Sequence, residues 1–168
     1  MGLVIKSVIT GRVAIMEKNK FLGKIKWVVC ALLMLNIAVL LLPYADAGSY
    51  GLFNPIQMIQ EFSKDSENGV AYVVEAVMDF IVPAALVFIA GLLLIGRIRV
   101  VRYVFASLLS TGALSLYIYY LTSDFFSGMH GNESIGFWLN FFIAVVGVIA
   151  PIAFIILNKE QKKEDIAK

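Results

Sequence analysis

The chain has 168 residues, of which 60% are apolar and 15% charged, and its mean hydropathy is +0.85. That composition excludes an ordinary soluble domain, and four membrane spans of ~20 residues each leave no room for a separate catalytic domain. The net charge of +2 is small, nucleic acid is not an expected partner, and the single cysteine, Cys30, rules out a disulfide framework or a cysteine-based metal site within one chain.

Residues 1–26 form a basic segment with Lys6, Arg12, Lys18, Lys20, Lys24 and Lys26. Its β-branched positions Val4, Ile5, Val8, Ile9 and Val13 predict a weak amphipathic helix on the inner membrane surface. Met16-Glu17-Lys18-Asn19-Lys20 also reads as an alternative start of translation. A myristoylation pattern fails, because Lys6 stands where Ser or Thr is needed. The first apolar run, 27–43, predicts a span, and Asn36 near its middle is costly there without a hydrogen-bonding partner. Pro43 and Ala45-Asp46-Ala47 give the same run a competing reading as a signal peptide cleaved after Ala47. Its apolar core from Trp27 to Leu42 is just past the usual range of about 7 to 15 residues, which favours a retained span.

In the outer loop 44–69, Asn54 as N-cap, Pro55 at the first helical position and Gln57 three residues after the cap predict a short helix over about 55–62. Leu52, Ile56, Ile59 and Phe62 fall on one face, which suits a helix lying flat at the outer interface. The second span, 70–96, carries Glu75 and Asp79 on one face, with Pro83 one turn later. Acids inside a membrane are candidate functional groups, and Pro83 leaves the carbonyl of Asp79 without its helical donor. Carboxylates beside a freed carbonyl make a candidate site for a cation or proton. The structural alternative is that Glu75 is solvated and Asp79 hydrogen-bonds to Asn140, Tyr119 or Tyr120.

The Arg97, Arg99 and Arg102 loop, 97–102, is short enough to make the second and third spans neighbours. In the third span, 103–121, Ser107, Thr111 and Ser115 recur every four residues beside Ala106, Ser110 and Gly112. Small residues at that spacing predict close helix contact, with the hydroxyl ladder a natural partner for Asn36. The outer loop 122–136 contains His130, whose pairing with Asp124 or Glu133 would make at best a weak metal site, and Asn132-Glu133-Ser134, which matches a glycosylation pattern. The fourth span, 137–157, holds Asn140 as a further packing polar group, and Gly147 and Pro151 permit a bend. A charged tail, 158–168, closes the chain. Trp27, Tyr103, Tyr117, Tyr119, Tyr120 and Trp138 read as interface aromatics.

Thirteen of the fourteen cationic side chains precede the first run, separate the second from the third, or follow the fourth; only Lys64 lies in the other two gaps. The positive-inside rule therefore predicts both termini in the cytoplasm. The expectation is an all-α integral membrane protein of four transmembrane helices in an antiparallel bundle, with a short amphipathic helix in the first outer loop. Its basic ends would meet anionic inner-leaflet lipid. Without a phosphate loop, nucleophile elbow, HExxH or dinucleotide fingerprint, no enzyme, cofactor or metal is expected. Terse loops and frequent lysine suggest a bacterial plasma membrane. Two functions follow: an accessory or structural subunit docked to another membrane protein, or a small oligomeric transporter or channel using Glu75 and Asp79.

Overall fold

A computed structural model of the chain describes residues 2–46, 52–64, 69–96, 99–122 and 133–166. Among these the chain is mostly helical: α1 is Gly2–Val39, α2 Pro55–Phe62, α3 Gly69–Ala76, α4 Val82–Leu94, α5 Val100–Thr122 and α6 Ile135–Ile166. A π-helical turn, Val77–Ile81, joins α3 to α4. Four stretches are long and apolar enough to cross a membrane: Lys20–Val39, Gly69–Leu94, Val100–Thr122 and Ile135–Glu160. This is a multi-pass membrane protein.

The first helix is longer than its apolar run, since the basic segment continues it without a break, and it stops at Val39. Tight turns follow, with the amides of Leu40, Leu41 and Leu42 each donating three residues back. Pro43 then ends any helical option.

Inside the bundle α4, α5 and α6 each present a seam with alternating steps of three and four. On α5 the buried residues are Tyr103, Ala106, Ser110, Ala113, Tyr117 and Tyr120. On α6, Phe137, Asn140, Ala144, Gly147, Pro151 and Phe154 repeat that spacing. Ala84, Val87, Gly91 and Leu94 do so on α4; on α1 the buried residues are Cys30, Leu33 and Asn36, with Leu40 buried just past its end. This 3.5-residue period is the packing geometry of helices crossing at a shallow angle. The helices close a ring in which α4 packs on α1 and α5, and α6 packs on α5 and α1. Cys30 and Leu33 lie against Gly91, Leu86 lies against Gly112, and Ser110 and Leu33 lie against Gly147. Ser107 donates to the Val148 carbonyl at 3.1 Å. The outward positions Val28, Leu35, Leu41, Phe105, Leu108, Phe142 and Ile149 are exposed and apolar, as a lipid-facing surface requires.

Beyond the end of α1, β1 (Ala45–Asp46) pairs antiparallel with β2 (Leu52–Phe53) in the register Ala45↔Phe53 and Asp46↔Leu52. Ala45 also bridges to Glu133 ahead of α6. Tyr44 donates its amide to Phe53 and accepts from Ser134, both at 2.8 Å, while Gly136 donates to the Pro43 carbonyl at 2.8 Å. These bonds join the segment after α1 to the start of α6. In α2, Asn54 and Gln57 form a reciprocal capping box. Its buried residues are Pro55 and Met58, with Ile59 partly buried, whereas Leu52 and Ile56 are exposed.

Candidate functional site

The site residues gather at the Tyr44 end of the bundle, where the second span changes its winding. Pro83 has no amide hydrogen and its ring crowds the carbonyl of residue i−4. The helix responds by loosening to the wider winding, with the Val82 amide donating to the Val77 carbonyl five residues back. With Val82 turned to Val77 and no amide hydrogen on Pro83, the hydrogen bonding here departs from the α pattern. Single π turns of this kind occur frequently at functional positions. The kink expected at Pro83 takes this form.

Asp79 sits within that turn, fully buried, and neither carboxylate oxygen has a hydrogen-bond partner. This differs from the expected pairing with Asn140, Tyr119 or Tyr120. Asn140 instead donates to the Tyr44 hydroxyl, and the Tyr119 hydroxyl lies 3.5 Å from Glu75 Oε1. Glu75, one turn nearer the end of the span, is partly buried and close enough to Asp79 for their charges to interact. The Tyr120 ring stacks edge-on against Phe80 at 5.1 Å, and its phenol is within electrostatic reach of Asp79 and Glu133.

A buried aromatic cluster adjoins the acid. Tyr44 contacts Phe80 at 5.3 Å and Phe137 at 6.3 Å, and Tyr117 and Tyr120 meet Phe137 at 5.6 and 5.2 Å. Tyr103, Tyr117 and Tyr120, expected as interface aromatics, are buried on the α5 seam. Tyr44 is the hub that sequence reasoning missed. Burial, reinforced by the adjacent Tyr117 phenol, pushes Tyr44 above the ordinary tyrosine range, so its hydroxyl stays neutral. The local signal was present in Pro43-Tyr44, a rigid exit from a span followed by an aromatic.

The packing polar groups divide differently from expectation. Asn36 donates to the Ala84 carbonyl of α4 at 2.8 Å and not to the hydroxyl ladder. Thr111 and Ser115 donate to the carbonyls of Ser107 and Thr111 on their own helix, at 2.9 and 3.0 Å, and are exposed. Within the ladder it is Ser107 that reaches another helix. At the opposite end, Lys26 donates to the Gly96 carbonyl, where the chain turns through a positive φ of 93° before α5. His130, Asp124, Asn132 and the Ala47 cleavage position lie outside the described residues. Among the described residues, no group of three or more His, Cys, Asp or Glu side chains is placed to hold a metal ion. No family model, curated protein or solved structure matches this chain.

Proposed function

We propose that this chain is a non-enzymatic, four-span accessory or structural subunit of a membrane or envelope complex. The observation that supports this reading is a bundle interior filled by the chain's own side chains: Leu33, Val87, Leu94, Ala106, Ala113 and Ala144 are all buried. Such a core stabilises a scaffold and leaves the lipid-facing residues as the surface for another membrane protein. The contacts between Lys26 and Gly96, Asn36 and Ala84, and Ser107 and Val148 support an antiparallel arrangement. Charge distribution supports both termini in the cytoplasm, against anionic lipid, with α2 capping the outer end; low cysteine, high lysine and terse loops support a bacterial plasma membrane.

A second reading, transport of a cation or proton by a homo-oligomer, is favoured by the unpartnered carboxylate of Asp79 with Glu75 one turn away. Cross-linking in the native membrane, gentle extraction and mass measurement separate the two. The subunit reading expects a different protein in fixed stoichiometry; a complex of this chain alone would overturn it.

A further inference from the structure

We infer that Asp79 is the terminal acceptor of a proton-binding site that exchanges with the outer solution through Glu75 and is closed toward the cytoplasm. The inference rests on the reading of Glu75 and Asp79 as a site, in the proposed orientation, and it assigns the ligand and the side of access.

The first ground is that a carboxylate fully withdrawn from water and without a hydrogen-bond donor carries a desolvation penalty of several kcal/mol. Asp79 meets both conditions. Either a bound proton or a bound cation removes the charge. A hard cation would require several oxygen ligands around it, about six to eight for calcium. The described acids near Asp79 supply only Glu75, and no group of three or more His, Cys, Asp or Glu side chains is placed to hold a metal ion among the described residues. A proton needs only the carboxylate.

The second ground is the set of neighbours on each packed element. From α3 the charged group is Glu75, accompanied by Tyr72; from α5 the titratable groups are Tyr119 and Tyr120. The α2 helix presents Met58 inward, and its Glu61 is exposed and paired with Lys64 at 2.6 Å. Tyr44 stands behind Phe80, and Glu133, ahead of α6, acts through Tyr120. No lysine or arginine occurs in the second span between Gly69 and Gly96. Among the described residues no Lys or Arg is paired with Asp79 to hold it ionised.

The third ground is direction. Glu75 is partly buried and in contact with the exposed Tyr119, so it bridges solvent and the acid. On the other side α4 continues with Ala84, Val87, Ala90 and Leu94, faced by Leu33, Ala106, Ala113 and Ala144, all buried and apolar. Of the polar groups on that side, Asn36 and Ser110 do not titrate, and the titratable Cys30 and Tyr103 lie farther along toward the Gly96 end. Hydronium gives its proton to the Glu75 carboxylate, leaving water; because the two carboxyls are not hydrogen-bonded to each other, one bridging water relays a proton from Glu75 to an Asp79 oxygen, and Glu75 returns to its ionised form.

The test uses the full chain in lipid nanodiscs, followed by infrared difference spectroscopy on transfer from water to deuterium oxide. At neutral pH the protein is expected to show a protonated carboxylic acid band that is absent in Asp79→Asn and displaced in Asp79→Glu. Glu75→Gln keeps the band and slows its deuterium exchange by at least about tenfold, the scale of a lost proton-transfer group. Replacing choline chloride by sodium chloride leaves the band unchanged. A band that sodium abolishes, no band at neutral pH, or unchanged exchange in Glu75→Gln overturns the proton site while leaving the acids as a possible cation site. A band that survives intact in a folded Asp79→Asn variant removes the acids from function altogether, and the transport reading falls with it.

Discussion

The Tyr44 hydroxyl and the Asn140 amide occupy a region where neither can turn to water. Each is fully buried, and Asn140 donates to the phenol oxygen. Removing one partner strands the other, which costs more than the bond itself contributes. Tyr44→Phe keeps the ring contacts with Phe80 and Phe137 but leaves the Asn140 donor without its acceptor. It is expected to destabilise the bundle by about 1–2 kcal/mol in denaturant titration in mixed micelles. Adding Asn140→Leu should recover part of that loss, because both polar groups then leave the interior together. A double variant whose loss equals the sum of the single losses would show that the two side chains do not interact. Asn36 follows the same logic on α4, with a smaller expected contribution, since hydrogen bonds between membrane helices average about 0.6 kcal/mol.

At the level of elements, the closest approaches are made at glycines. A Cβ on Gly136 would stand 2.6 Å from the Pro43 carbonyl oxygen and 2.7 Å from the Tyr44 ring, whereas one on Gly112 would lie 3.8 Å from Leu86. Gly136→Ala is therefore expected to cost about 1–3 kcal/mol through overpacking. Gly112→Ala should be neutral or stabilising, since alanine is the better helix former by up to about 1 kcal/mol. Thermal unfolding of the two variants side by side checks the contrast.

Spans and caps were legible because their causes are local. An apolar run of sufficient length, or an Asn-Pro-x-Gln sequence, states its own conformation. Which face turns inward was not legible from hydropathy, because in lipid the outside of a helix is as apolar as its inside. The usable signal was residue size: Ala106, Ser110 and Ala113 on α5, and Ala144 and Gly147 on α6, mark the seams. The two acids were also legible by type, but their separation into a partly buried Glu75 and an enclosed Asp79 depends on the π turn. Likewise, the β1–β2 pairing is only two residues long and too short to show a period, and the bridge from Ala45 to Glu133 joins residues distant in sequence.

For the whole molecule, the proposed orientation puts Lys64 outside and Lys163 inside, both exposed. Cys30 is buried, so it provides a silent background for thiol labelling. In intact cells a membrane-impermeant maleimide is expected to label Lys64→Cys at once and Lys163→Cys only after permeabilisation. The reverse pattern would invert the topology and place Glu75 toward the cytoplasm.

The bond between Tyr44 and Asn140 joins residues 96 positions apart, and a ribosome delivers them in that order. While the second and third spans are being inserted, the phenol after the first span waits without the amide that will satisfy it, and the segment after α1 lacks the amides of Ser134 and Gly136. The Tyr44 end can lock only when the last span arrives. Release of a chain truncated before α6 would thus expose an open, aromatic-lined seam to the membrane's quality-control proteases, giving the cell a built-in way to recognise incomplete copies.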